Sequence, residues 1–330
     1  MDRTVRDVVT ARDRKMAEDL LAQSDLQVEK VDRTVMVTDG NQAIATASLD
    51  ANVIKMVAVR ADHRGEDLTA LMIGRLVSDL EQQGISKHFL FTTPSQEDFF
   101  KALMYKVVSK TDDVILFENA ARPISKRLSD LALTLPPKQG TRAAIVMNCN
   151  PVTNGHLHLI TTASEDNGDV IIFLVEEDAS VFPFKVRKRL LEESVAHLPN
   201  VHVVPSTPYI ISKATFPTYF LKETTKASRI HRKLDVKVFS DHFVPTFDLD
   251  RRYVGEEPLD PSTRLYNEAL SNVLGDRLVI VRRIGDDQGV ISASRVRALM
   301  KAGHLEKIKT IVPSATYRFL SSPEGNALFR

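Results

Sequence analysis

The stretch NCNPVTNGHLHL, Asn148 to Leu159, decides how the second half of the chain is read. It follows RAAIVM (142–147), an apolar run with the composition of a buried strand. It then passes through a proline, a glycine and two histidines before apolar spacing resumes at Leu157, Leu159 and Ile160. Strand, tight turn and helix is the order these residues predict. A helix N-terminus leaves several backbone N–H groups without intrahelical acceptors and carries about half a unit of positive charge, so such a turn is a natural seat for phosphate. Gly155 removes a side chain where phosphate oxygens must approach backbone. Thr153 and His156 bring a hydroxyl and an imidazole to the same point, and Pro151 stiffens the turn.

Outward from this turn, strands and helices alternate. AAIVMN is followed by a helix from Gly155, DVIIFLV by a helix over 184–197, VHVVP by a helix around 214–227, KVFS (237–240, read as a strand) by a helix around 262–274, and LVIVRRI by a last helix from Ser292. Alternation of this kind predicts a doubly wound, mainly parallel α/β sheet with ligands at the carboxyl ends of its strands.

The first half has a different rhythm. TVMVTD (34–39), QAIATASL (42–49) and VIKMVAV (53–59) read as three meandering strands ahead of the first long helix, with a hairpin-like break at Asp39-Gly40-Asn41. That helix carries Leu68, Leu71, Met72, Leu76, Val77 and Leu80 on one expected buried face and ends at Gly84. KHFLFTT supplies a strand, SQEDFFKALMYK a helix expected to start from a serine cap, and VILFE the closing strand. Residues 1–120 thus form a first domain, 121–141, with a short helical pattern and then Pro136-Pro137, a connector, and 142–330 a second domain.

Composition limits the function. The chain has 330 residues, enough for two cores. Its 44 basic and 43 acidic residues give a net charge of +1, so no broad field points to nucleic acid or an anionic membrane, and any anion must be bound locally. The single cysteine, Cys149, excludes an internal disulfide framework and a multi-thiolate zinc site; flanked by two asparagines, it reads as a small strand-end residue rather than a nucleophile. No signal-peptide core or membrane-length apolar window is found, which leads to the expectation of a soluble, cytoplasmic protein.

A second motif lies near the end of the domain. GVISASRVRALM offers Ser292 as a helix cap, Ser294 in the first turn and Arg297 one turn further, with a planar fork suited to phosphate oxygens. Thr153-x-Gly155-His156 followed by Ile291-Ser292-x-Ser294-x-x-Arg297 resembles the paired signatures of the nucleotidylyltransferase superfamily. The resemblance implies transfer of a nucleotidyl group by in-line attack on the α-phosphorus, with pyrophosphate leaving and magnesium accompanying ATP. His156, Thr153 and Arg297 would be the catalytic residues, and Asn150, Gly155, Lys185, Ser292 and Ser294 would complete the ATP site. Lys185 is chosen from KVRKRLLEES because it lies nearest the preceding loop; His158, about 200° around the helix from His156, cannot share its face.

The first domain resembles the GNAT acetyltransferase family in strand order and in the turn HRGEDL before its helix. Arg64 and Gly65 stand where that family cradles the pyrophosphate of acetyl-CoA, and Asp67 replaces the expected second Gly or Ala, setting a carboxylate against any phosphate. The two domains together, with MNCNPVTNGHLHLI, ISKATFPTYFLK and RRYVGEEPLDPSTRLYNEAL, resemble the citrate lyase ligase family. That family's activity would be ATP-dependent activation of acetate as acetyl-AMP. Acetyl transfer would follow to the thiol of the CoA-like prosthetic group on the citrate lyase acyl carrier subunit, the implied partner, with neither nucleic acid nor membrane involved. Arg252-Tyr253-Val254-Gly255-Glu256-Glu257-Pro258 is expected to shape the acceptor pocket as a turn beyond the KVFS strand. Two alternatives share the motifs: an adenylyltransferase acting on a mononucleotide or phosphopantetheine, and a non-catalytic nucleotide-sensing regulator.

Overall fold

A computed structural model describes residues 4–24, 26–178, 180–212, 226–257 and 260–329. The chain divides into two compact units, Met1–Pro123 and Ile124–Arg330.

The first unit is an α+β layer. Its strands are β1 (Arg6–Asp7), β2 (Arg33–Asp39), β3 (Gln42–Asp50), β4 (Val53–Val59), β5 (His88–Thr92), β6 (Lys106–Lys110) and β7 (Ile115–Asn119). They form one sheet in the order β1-β2-β3-β4-β5-β7-β6. Every neighbouring pair is antiparallel except β4 and β5, which run parallel and pair only at Val53↔Phe89 and Ile54↔Leu90. This arrangement, with the turn and helix α2 (Leu68–Gln82) between β4 and β5, agrees with the acetyltransferase-like fold expected. Leu68, Met72, Ile73, Leu76 and Leu80 of α2 close the core over Val35, Ile54, Leu90 and Phe117.

Three expectations for this unit are corrected. A 13-residue helix, α1 (Ala11–Gln23), precedes the meander; it buries little beyond Ala17, Leu20 and Leu21, so its apolar stripe is too thin to stand out, although Thr10 and Asp13 form a capping box at its start. Leu71 is 43 % exposed and Ile73 takes its place inside. Helix α3 (Glu97–Ala102) begins after a 3-10 turn at Pro94–Gln96 without a serine cap and stops before Lys106, where β6 begins.

The second unit starts with α4 (Ile124–Ala132), which is the short helical pattern of the connector, with Ile124 and Leu128 buried. Its sheet contains β8 (Arg142–Met147), β9 (Asp169–Leu174), β10 (Val201–Pro205), β11 (Arg251–Gly255) and β12 (Leu278–Val281), all parallel, in the order β10-β9-β8-β11-β12. The chain first adds strands to one side of β8, then jumps to the other side at β11. The crevice between the carboxyl ends of β8 and β11 is therefore the topological switch point, where open α/β sheets hold ligands.

Helices α5 (Asn154–Asp166) and α6 (Phe184–Val195) cover one face, joined there by α10 (Ala293–Lys301) and α11 (Ser314–Ser321) around Ile145, Ile160, Leu190, Val296 and Phe319. On the other face, α7 (Lys226–Val238) continues through a π turn at Phe239–Phe243 into the short α8 (Val244–Thr246) and packs against α9 (Pro261–Leu274). Phe173 of β9 meets Phe243 and Phe247 edge-on there, with ring centres 5.3 and 5.0 Å apart.

Two readings reverse here. KVFS is the end of α7 and its π turn, not a strand; a short β-branched apolar run cannot be told from a helix buried on most sides by periodicity alone. The strand is RRYVG, expected to be a turn. Two helices, α11 and α12 (Pro323–Ala327), follow the one expected to be last. The helix expected around 214–227 falls mostly outside the described residues, and α7 begins at Lys226.

Candidate active site

Thr153 caps α5 from an extended conformation (φ −128°, ψ 165°), its Oγ1 accepting the backbone N–H of His156 at 3.4 Å. In return the Thr153 N–H donates to His156 Nδ1 at 3.0 Å. This is a capping box in which histidine occupies the position more often held by Glu or Gln. Because a backbone amide can only donate, Nδ1 must accept, and the neutral ring carries its proton on Nε2. Burial, reinforced by the charge of Arg283, pulls His156 down from 6.5 to about 4. The ring is thus a neutral hydrogen-bond donor at pH 7, held in one tautomer by the turn itself.

Gly155 also has a packing task. A Cβ there would stand 3.0 Å from the Ile291 carbonyl oxygen and 3.5 Å from Thr153 Oγ1. The missing side chain lets the first turn of α5 seat against the residue that leads into α10, so glycine joins the two motifs. Ser292 caps α10, its Oγ accepting from the Arg295 N–H at 3.2 Å. Arg297 reaches back, donating through Nη1 to the Asn150 carbonyl at 2.5 Å and through Nη2 to Ser294 Oγ at 3.0 Å. Asn150 Oδ1 accepts the Phe182 N–H at 3.1 Å, tying the loop after β8 to the entrance of α6. Asn154 fixes the other side through its N–H to the Ile311 carbonyl (3.0 Å) and Nδ2 to the Thr310 carbonyl (2.9 Å). Asn150, Thr153, Gly155, His156, Ser292, Ser294 and Arg297 are therefore gathered around two helix N-termini, neither with an acid in its first turn.

Lys185 does not join this cluster by any bond. It is exposed in the first turn of α6, without an ion pair among the described residues. Its neighbour Arg187 is completely buried and clamps the loops after β8 and β9, donating to the carbonyls of Phe182 (2.9 Å), Asn148 (2.9 Å), Val175 (2.6 Å) and Glu177 (3.2 Å). Cys149 is 1 % exposed and burial raises its thiol to about 12, which fits the inert role expected.

Sequence reasoning missed Arg283, which is held by Glu257 of the stretch expected to shape the acceptor pocket. Arg283 lies just past the carboxyl end of β12, within electrostatic reach of His156. Its Nε donates to the Glu256 carbonyl at 2.6 Å and its Nη2 to Glu257 Oε2. Glu257, nearly buried at the carboxyl end of β11, also accepts the Asp260 N–H at 3.1 Å. LVIVRRI reads as one strand, which hid the cation that follows it; Pro258 lies outside the described residues.

In the first unit, Arg64 and Gly65 are exposed in the turn before α2. Gly65 adopts φ +91°, and Asp67 heads the helix in the left-handed region (φ 54°, ψ 13°) without capping it. The turn's other charges bind one another: Arg60 Nε to Asp62 at 2.7 Å, Arg60 Nη2 to His63 Nε2 at 2.6 Å, and His63 Nδ1 to Glu66 at 3.0 Å.

Among the described residues, no group of three or more His, Cys, Asp or Glu is placed to hold a metal ion, and no helix is long and apolar enough to cross a membrane. The chain is similar to solved structures over its first unit; an acyl-CoA N-acyltransferase from Pseudomonas aeruginosa aligns with 36% of this chain and 99% of that one, at 15% identity and a TM-score of 0.32. The citrate (pro-3S)-lyase ligase of Klebsiella pneumoniae is 32% identical over 316 residues, 93% of this chain and 92% of that protein. The enzyme of the same name from Escherichia coli (strain K12) is 32% identical over 327 residues, 96% and 93% of the two chains. Residues 142–320, which carry β8, both motifs and the whole parallel sheet, match the family described as citrate lyase ligase C-terminal domain. With a capped phosphate-type turn at the switch point, a second capped turn against it and relatives matched along nearly their full length, the chain belongs to the citrate lyase ligase family.

Proposed function

We propose that this enzyme activates acetate with ATP and passes the acetyl group to the thiol of the CoA-like prosthetic group on the citrate lyase acyl carrier subunit. The observation that carries the reading is the contact of the Thr153–His156 capping box with Ile291, which sets two helix N-termini side by side at the switch point. Their free N–H groups suit a triphosphate. In the first step an acetate oxygen attacks the α-phosphorus in line, the bond to the β-phosphate oxygen breaks, and acetyl-AMP and pyrophosphate form. In the second, the prosthetic thiol attacks the acetyl carbonyl, AMP leaves, and the thiol proton passes to solvent.

No general base is needed for the first step, because acetate is already ionised at neutral pH. Catalysis then rests on position and charge. His156 donates from Nε2 to a non-bridging phosphate oxygen as charge grows there and keeps its proton throughout. Arg283, held by Glu257, adds fixed positive charge beside it. Ser292, Ser294 and Arg297 serve the β,γ end, with Arg297 also holding Asn150 in register. Lys185 serves the triphosphate from the solvent side. Magnesium would accompany the triphosphate and offset its charge, with few protein ligands of its own. The nearby carboxylates are occupied, Glu257 by Arg283 and Asp178 by Arg187 and the Phe184 N–H. The first unit is assigned to the carrier and its arm, with Arg64 and Gly65 as the contact. The cytoplasm, where acetate, ATP and the carrier meet, is the assigned location.

Magnesium-dependent pyrophosphate release tests the reading, comparing acetate with nicotinamide mononucleotide and phosphopantetheine, with and without thiol-bearing carrier. Release with acetate, and acetyl recovered on the carrier, is the expected result. Release driven only by the mononucleotide or phosphopantetheine would move the protein to the adenylyltransferases, and nucleotide binding without release would make it a sensor.

A further inference from the structure

On the sheet face opposite α5 and α10, two arginines are buried with N–H groups that meet no acceptor. Arg252 of β11 is 3 % exposed, and its Nε and Nη1 lack partners; the Phe239 ring, 4.5 Å away, takes up part of its charge. Arg232, in the second turn of α7, is 4 % exposed, and its Nη1 likewise has no partner. Asp235, the buried carboxylate one turn along α7, is already engaged: its Oδ1 accepts the Ile211 N–H at 2.6 Å and its Oδ2 the Tyr266 hydroxyl at 2.8 Å. Burial lowers both arginines, Arg229 adding to it at Arg232, while Glu268 acts the other way on Arg232 and Tyr266 and Asp235 on Arg252; a guanidinium keeps its proton at neutral pH, so both remain charged donors with N–H groups unmet. Buried N–H groups without an acceptor are unfavourable, and a guanidinium N–H is best met by an anionic oxygen, which the described residues do not place there.

Topology says where that anion sits. Helix α7 leads into the parallel strand β11, so its first turns stand at the carboxyl edge of the sheet, the ligand edge. Asp235 is three residues from Arg232 on the same helical face, and its bond to Ile211 lays the loop 206–212 along that face. The loop is buried and strained. Thr207 and Ile211, both β-branched, adopt φ of 64° and 46°, and Thr207 Oγ1 has no partner. Unfavourable backbone of this kind persists where surrounding structure holds it for a purpose.

We infer that Arg232 and Thr207 form the subsite for the small carboxylate that attacks ATP, the guanidinium gripping its oxygens, the hydroxyl adding a bond, and Ile210 and Ile211 limiting the length of its alkyl chain. The nucleotide occupies the α5/α10 side of the switch point and the carboxylate approaches from the α7 side. This inference rests on the adenylate-forming reading above.

The test uses the full chain and reads acetate-dependent pyrophosphate release together with direct binding of carbon-13 acetate by NMR in the presence of a non-hydrolysable ATP analogue. Arg232→Gln is expected to raise the KM for acetate roughly 30-fold or more, with the KM for ATP unchanged within about twofold, and to abolish the acetate binding signal. Arg232→Met should do the same while raising Tm, because an apolar side chain removes the buried donor that has no acceptor. An unchanged acetate KM in Arg232→Gln, or acetate and ATP constants rising together, would overturn the subsite while leaving the reaction in place. A wild-type chain that releases pyrophosphate with a mononucleotide but not with acetate would remove the reading itself and the subsite with it, a result that no Arg232 variant can imitate.

Discussion

Glycine stands just ahead of the start of α2 and at the start of α5, and the two turns are opposite in character. In the first unit Gly65 lies outside the helix and is there for its left-handed backbone; open space surrounds the position of its missing Cβ. In the second unit Gly155 lies inside the first helical turn and is there because the Ile291 carbonyl occupies the space a Cβ would need. The turn before α2 brings Asp62, Glu66 and Asp67, with Arg60 bound to Asp62 and His63 to Glu66. The turn before α5 has no acid, a reciprocal hydroxyl–imidazole cap and Arg283 nearby. A glycine before a helix is thus no phosphate site by itself; the surrounding charges and the free N–H groups decide.

The largest expected difference is catalytic. His156→Ala should slow acetate-dependent pyrophosphate release by about 10²–10³-fold, the cost of one well-placed donor to developing charge, and equal rates for wild type and variant would erase the distinction between the two turns. Gly155→Ala comes next. The added methyl must push the Ile291 backbone away, so the KM for ATP should rise roughly 10-fold, whereas Gly65→Ala should leave it unchanged and lower the thermal stability of the first unit by about 1 kcal/mol.

A smaller effect concerns pH. His156 in the second unit and His88 in the first, bonded to Tyr105 at 2.8 Å, are both lowered to about 4, His88 by burial and His156 by burial together with Arg283. Each is neutral in the folded protein and takes up a proton on unfolding below its ordinary value of 6.5. The unfolded state therefore binds more protons between about pH 6.5 and 4, and stability, unaffected above that window, falls as pH drops through it. Urea unfolding at pH 7 and pH 5 should show the loss, with His88→Gln and His156→Gln each removing one share; no change in pH dependence for either variant would show that the histidines are not the source.

The smallest effect belongs to the first turn. Arg64→Glu should raise the KM for the carrier about threefold through an exposed, screened contact while leaving acetyl-AMP formation alone. A large effect there, measured as acetyl transfer to the carrier, would mean that the acidic turn is a working anion site after all.

Local chemistry made much of this legible in the sequence. The turn from β8 to α5 and the cap of α10 are each encoded within a few residues, because caps, glycines and prolines act on their immediate neighbours. The alternation of strands and helices gave the parallel sheet by the same local logic. KVFS and RRYVG could not be assigned that way: both are short runs with apolar residues, and only their burial on the α7/α9 face and beside β8 made one a helix end and the other a strand. Lys185 and Arg187 have the same weakness, since the sequence cannot show which of two neighbouring cations turns inward.

What the sequence determined by itself is the pair of capped helix starts and the residue types at them, Thr153, His156, Ser292, Ser294 and Arg297. What only the tertiary structure decided is their joining. Gly155 against Ile291, Arg297 on Asn150 and Arg283 beside His156 all link residues far apart in the chain, and spacing along a sequence holds no information about which distant carbonyl or charge will fill the space beside a given atom.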